Sequence, residues 1–281
     1  MKKFLQYGTI TLILSFTSIG LASFYYENAA VRNANDFDSE SFIASGFTMD
    51  ELALFCDIAF ADDGIRIRKW DTDIRVEIKN IEDIDRKAID EVDSIIAILA
   101  PLVAPLKMER VSRNGNLHVY RNVTSVKSSK PHHVPKPKYV NGIAKINSKS
   151  PYSWSIRHAI VYDGCGNQCQ TLLHEFEHAL GLDHPINMYP YYLTIGRSVI
   201  PQYFSSQEEI QDFLSKPYYI SEQEKKAIKM LYSPQIKAGL HIDKFAREMG
   251  FSDDDIKLMI PNKNKKQEVV VYPAYMTKIR R

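Results

Sequence analysis

Between residues 174 and 184 the chain reads His-Glu-Phe-Glu-His-Ala-Leu-Gly-Leu-Asp-His. At about 3.6 residues per helical turn, positions i and i+4 share a face, so His174 and His178 can present two imidazoles to one metal ion. Glu175 leaves the same helix beside them, where it can reach a metal-bound water. Gly181 tolerates the left-handed conformation that ends helices, and from there the chain can turn back to bring in His184 as a third ligand. Three neutral imidazoles around zinc leave one position open to water, which is a catalytic arrangement rather than a closed structural one. A bare His-Glu-x-x-His occurs by chance in many helices as an exposed charged turn. Requiring the glycine and the third histidine at fixed offsets makes chance roughly a few hundred times rarer, at about 1 in 20 per fixed position.

The stretch from His174 to Tyr192, HEFEHALGLDHPINMYPYY, resembles the zinc-binding region of metzincin metallopeptidases, most closely the matrixins. In that family the third histidine is followed by a methionine turn of the form Met-Tyr-Pro-x-Tyr, here Met188-Tyr189-Pro190-Tyr191-Tyr192. The resemblance implies a zinc-dependent endopeptidase with one zinc per chain on His174, His178 and His184, and Glu175 as general base. It implies Met188 as a hydrophobic floor beneath the metal, and Pro190 to Tyr192 as a wall of the pocket for the residue after the scissile bond. Pro185 is closer to the serralysin branch, and the spacing from His184 to Met188 is shorter than in matrixins. Four extended steps still span about 13–14 Å, enough for the loop to close. The resemblance also implies an edge strand beside the cleft that pairs with an extended substrate backbone, for which Gly142–Asn147 is the candidate. YISEQEKKAIKMLYS resembles the last helix of matrixin-like domains. The likeness runs in outline from Trp70 to Pro234, and residue by residue over 174–192 only. Two other readings stand beside it. One is a secreted metzincin-like binding module without turnover, against which Glu175 speaks, since a purely structural site needs the histidines but not the glutamate. The other is zinc-dependent hydrolysis of a non-protein polymer.

The elements that must position these residues can be read along the chain. Residues 23 to about 47 are polar and mixed and predict a mobile lead. Thr48 followed three residues later by Glu51 is a capping box, opening a helix whose Leu52, Phe55 and Ile58 side packs on something. Ile74–Ile78 alternates apolar and charged residues, as a strand with one buried face does. Ile84 to Leu102 is a long amphipathic helix. Shorter strands are expected at Lys107–Val111 and Leu117–Arg121, turned by Asn114-Gly115. Thr124 to Lys138 reads as an exposed loop, whose His132-His133 pair could add a metal ligand. Strands resume at Gly142–Asn147 and Ile156–Tyr162, then the helix of the histidines begins near Gln168. Helices follow at Ser206–Leu214, from the Ser221–Glu224 capping box to Tyr232, and at Ile242–Met249. Val269–Tyr272 is strand-like. The expected fold is α+β and metzincin-like: a mixed five-stranded twisted sheet, two long helices and a small helical C-terminal subdomain. The expected division is a signal peptide over 1–22, a lead with a helix over 23–66, a catalytic domain over 67–235, and a helix with a basic tail over 236–281.

Composition fits one sizeable core with appendages, at 44% hydrophobic and 25% charged over 281 residues. Lys2 and Lys3, then an uncharged apolar run from Tyr7 to Leu21 and a small-x-small site at Gly20-Leu21-Ala22, predict a cleaved secretory signal. The protein is then secreted or periplasmic. The alternative is an N-terminal membrane anchor, since the run approaches spanning length. Cleavage after Ala22 takes the formal charge from +2 to zero, so net charge says nothing about partners; the resemblance implies a protein or peptide substrate, and no nucleic acid is expected. Between Arg110 and Tyr162 there are ten Lys or Arg and no acid, whereas Asp36 to Asp63 is acid-rich. Cys165 and Cys169 could form a short disulfide before the histidine helix. Cys56 could pair with either or remain a buried free thiol. Cys56-Asp57 could also reach the metal as a latency device, with the acidic lead covering the cleft along the basic stretch.

Overall fold

Ile74 and Val76 are fully buried while Arg75 between them is exposed, so the alternation in the sequence does make a strand, although Glu77 on Arg75's face is buried too, where Gly115 N–H donates to its Oε2 at 2.8 Å. The computed structural model of the chain describes residues 36–43, 45–60, 65–121, 125–126, 138–139, 142–148, 153–164, 170–185, 187, 189, 191–196 and 219–259. In chain order its helices are α1 (Ser39–Ile43), α2 (Met49–Ala59), α3 (Arg86–Leu99), α4 (Thr171–Ala179), α5 (Glu222–Tyr232), α6 (Ile242–Glu248) and α7 (Asp253–Met259). Its strands are β1 (Lys69–Trp70), β2 (Ile74–Ile78), β3 (Met108–Arg110), β4 (Leu117–Tyr120), β5 (Ser125–Val126), β6 (Lys138–Tyr139), β7 (Gly142–Ser148) and β8 (Ser155–Asp163).

The main sheet is mostly parallel. β3 and β4 lie on either side of β2, β8 lies beside β4, and all run the same way. β7 runs antiparallel along β8 and pairs with no other described strand. β1 joins the first residues of β8 in parallel. Among the described residues this sheet has six strands where the sequence predicts five. The addition is β1, whose two residues are too few to show a period-2 pattern. A separate antiparallel pair, β5 with β6, lies at the ends of the stretch expected to be an exposed loop.

A second correction concerns Asn114-Gly115. Asn114 does take a positive φ of 60°, but β3 and β4 are not a hairpin, because β2 lies between them. Their link crosses β2 at Gly115, where a Cβ would fall 2.4 Å from the Glu77 Cβ and 2.9 Å from the Arg75 carbonyl. Asn116 bonds the β2 backbone from the same link, its N–H donating to Arg75 O and its Oδ1 accepting from Arg75 N–H. An alternating pattern predicts a strand but not its partner.

Helix α3 is capped by Asp85, which accepts from Ala88 N–H at 2.8 Å, and buries Ala88, Val92, Ile95, Ile96 and Leu99. It packs beside β3, and α4 packs against β7 and β8. Both capping boxes read from the sequence are formed, at Thr48/Glu51 and Ser221/Glu224. Within the lead expected to be mobile, residues 36–43 carry helix α1 and join the core. Phe37 and Phe42 are buried and meet Phe245 of α6 at centroid distances of 5.5 and 5.6 Å. Phe55 of α2 meets the same ring at 5.2 Å. Every residue of α2 from Leu52 to Ala59 is buried, so α2 is a core helix rather than a surface one. No helix of the described residues is long and apolar enough to cross a membrane; the proposed signal segment lies outside them.

Candidate metal centre

His174 and His178 stand one turn apart on α4. Beyond Ala179 the helix closes in a Schellman-type end, with Gly181 N–H donating to His178 O at 2.9 Å and Leu182 N–H to Glu177 O at 3.2 Å. Gly181 has φ +104°, and a Cβ there would sit 2.1 Å from the Arg68 carbonyl, so both its conformation and its close approach require glycine. Two further carbonyls at this end are taken by side chains: the Trp70 indole donates to Ala179 O at 2.8 Å and the Tyr232 hydroxyl to Leu180 O at 2.9 Å. The chain then reverses and delivers His184.

The three histidines converge. His178 Nε2 lies 3.1 Å and His184 Nε2 3.2 Å from His174 Nε2, and one nitrogen from each ring lies within 4.8 Å of the others. The opposite ring nitrogens fix the tautomers. His174 Nδ1 donates to Thr194 O at 2.7 Å and His178 Nδ1 to Leu182 O at 2.9 Å. Carbonyls only accept, so both Nδ1 atoms carry the proton and, in the neutral rings, both Nε2 atoms are bare lone pairs. Lone pairs facing each other at this distance repel unless a cation lies among them. Burial lowers the His174 pKa to about 4, which favours the neutral form that a metal requires. Imidazole-to-carbonyl bonds of this kind are the usual outer support of ligating histidines. The three-histidine group could therefore bind a metal ion.

Glu175 follows His174 on α4 and is 6% exposed. Its pKa rises to about 7, chiefly through burial, with Asp163 adding to the rise and an N–H bond from Ala144 of β7 opposing it. Gly142 makes room for it, since a Cβ there would lie 2.7 Å from both Cγ and Oε1 of Glu175. The strand expected beside the cleft is thus the strand against which the candidate base packs.

Sequence reasoning did not find the supports of the ligands. Thr194 and Leu182 act through backbone carbonyls, which leave no side-chain signature. Ile195 N–H, next to Thr194, donates to Glu224 Oε1 at 2.9 Å, so the capping-box glutamate of α5 also holds the segment that orients His174. Asp57 of α2 accepts at Oδ2 from Asn187 N–H, Asn187 Nδ2 and the Tyr189 hydroxyl at 3.0, 3.2 and 2.9 Å. The available signal was an acid within an apolar run. Neither Asp57 nor Cys56 serves the latency role raised for them: Asp57 is occupied beneath the loop after His184, and Cys56 is a buried free thiol whose pKa burial pushes up. Tyr192 is buried, its ring 5.8 Å from that of Tyr219. Met188, Pro190, Cys165, Cys169 and the His132-His133 pair lie outside the described residues. No known family model matches the chain, and no curated protein matches it.

Proposed function

We propose that the chain is an exported zinc endopeptidase of metzincin type. The observation that carries this reading is the convergence of three Nε2 atoms, two of them left as lone pairs by carbonyls behind their rings, beside a buried glutamate on the helix of the first two histidines. His174, His178 and His184 would hold one zinc per chain. Zinc held there supplies a Lewis acid and makes water acidic enough to give up a proton near neutral pH. Glu175 takes that proton and returns it to the leaving amine. A carboxyl positioned beside the ligands can do both in turn; without a metal, burial against β7 raises the Glu175 pKa to about 7. β7 offers an extended peptide its second edge, free of other strands among the described residues. The order of strand, long helix, strands and histidine helix, with the antiparallel edge strand beside α4, supports the same reading. Met188 as floor, Pro190 and Tyr192 as pocket wall, and export by a signal cleaved near Ser23 belong to this proposal as the resemblance implies them.

Elemental analysis of the reconstituted protein and His178→Ala, with a proteome-derived peptide library digested by wild type and Glu175→Ala, tests it. One zinc per wild-type chain, and cleavage by wild type alone, are expected. No zinc, or equal cleavage by both proteins, overturns it.

A further inference from the structure

His174 and His178 owe their positions to a helix, but His184 does not. Residues 182–185 form neither helix nor strand, so no regular element carries the third imidazole. Helix α2 holds the loop from outside, on both sides of His184. Before it, Asp183 N–H donates to the Ile58 carbonyl at 2.8 Å. After it, Asn187 N–H donates to Asp57 Oδ2 at 3.0 Å, and the same oxygen takes the Asn187 side chain at 3.2 Å and the Tyr189 hydroxyl at 2.9 Å. Asp57 is only 8% exposed. Within the loop, His184 N–H donates to Asp183 Oδ1 at 2.7 Å, so holding Asp183 also holds the histidine backbone.

We propose that Asp57 is a positioning residue for the third metal ligand: its carboxylate fixes the Asn187 end of the His184 loop, as the neighbouring Ile58 carbonyl fixes the Asp183 end. This rests on the three-histidine metal reading. An acid in the buried last turn of an apolar helix is costly to place there. Three donors converging on one of its oxygens account for its place there, because an apolar residue would remove the acceptor they share. A role in stability alone would lower the melting temperature without regard to which ligands are present. A positioning role acts on metal affinity only through His184.

The test uses the full chain and Zn2+ itself, titrated against a chromophoric chelator, in wild type, Asp57→Ala, His184→Ala and the double variant. Asp57→Ala is expected to weaken zinc binding about 10–100-fold, the usual effect of removing support behind a ligand. In the His184→Ala background it should change affinity by less than about twofold, as for a residue whose effect runs through the missing ligand. Asp57→Asn, which keeps an oxygen for the three donors, should restore most of the affinity. Equal weakening in both backgrounds, or none in either, overturns the proposal. If Asp57→Ala does not melt cooperatively, Tyr189→Phe removes one donor and leaves the carboxylate in place. Its weakening, on the order of threefold, must again require His184, and a weakening independent of His184 overturns the proposal. Zinc bound equally by wild type and Asp57→Ala refutes the positioning role alone; a wild type that binds no zinc refutes the metal reading with it.

Discussion

The two sides of helix α4 treat a glutamate differently. Glu175 packs against β7, receives the Ala144 N–H, and has its pKa raised by burial to about 7. Glu177, two residues on and about 200° around the helix, points into the interior. It is fully buried, neither of its oxygens has a hydrogen-bond partner among the described residues, and burial together with the nearby Glu224 carboxyl raises its pKa well above the ordinary value. Glu224 is as deeply buried yet satisfied, by Ile195 N–H, Ser221 N–H and the Ser221 hydroxyl. Burial raises a carboxyl's pKa wherever it occurs. What makes Glu175 a candidate base is its position beside the ligands, with one backbone donor and an edge strand next to it.

The sharpest way to break this comparison is Glu175→Ala. On any substrate the wild type cleaves, turnover should fall by about 10²–10⁴ with zinc content unchanged, read by single-turnover kinetics beside elemental analysis; equal turnover moves the base elsewhere. Gly142→Ala is milder. The new methyl displaces the Glu175 carboxylate, and a drop in kcat of about 10–100-fold with an intact melt is expected. Unchanged kcat would mean that the carboxylate is not confined by β7. On the other side of the helix, Glu177→Met exchanges a buried acid that meets no donor among the described residues for an apolar chain of similar volume. Urea unfolding should show a gain on the order of 1–2 kcal/mol and peptidase activity within about twofold. A loss of stability would reveal a partner for the carboxyl.

The smallest effect is in pH. In the metal-free protein the folded state holds a proton on Glu175 between about pH 4.5 and 7, where the unfolded state has lost it. Stability from this group is therefore present below the unfolded pKa and lost as pH rises through the folded one. His174, lowered to about 4, acts in the opposite sense: its protonation in the unfolded chain lowers stability as pH falls from about 6.5. Setting wild type against Glu175→Gln isolates the carboxyl. The variant should gain on wild type by on the order of 1 kcal/mol between pH 5 and pH 8, and a constant difference between the two proteins would count against the raised pKa.

What could be read in advance followed local rules. The offsets of His174, His178, Gly181 and His184 are set by helix geometry and by one residue's freedom at positive φ, and both capping boxes lie within four residues of chain. Ile74–Ile78 was legible for the same reason, as a period of two. The rest depends on residues distant in sequence. The crossing at Gly115 comes from where β3 finds its partner, and an Asn-Gly pair predicts a hairpin unless that partner is known. The packing of Phe37, Phe42 and Phe55 on Phe245 joins segments about two hundred residues apart, which no periodicity can announce. Asp57 belongs to the same class. Its composition signal was visible, but its donors were not.

That long reach between Asp57 and Asn187, 130 residues apart in sequence, bears on the order of assembly. A contact closing so large a loop forms late, after local helices and strand pairs. His174 and His178 can come together as soon as α4 winds, but the loop of His184 gains its bonds to Asp57 and Ile58 only when α2 has docked against it. Two imidazoles alone hold a metal weakly, so ion capture should lag behind chain collapse rather than seed it. In refolding, the appearance of tight zinc binding would then report completion of the native state, and metal added at the start should leave the main folding rate unchanged.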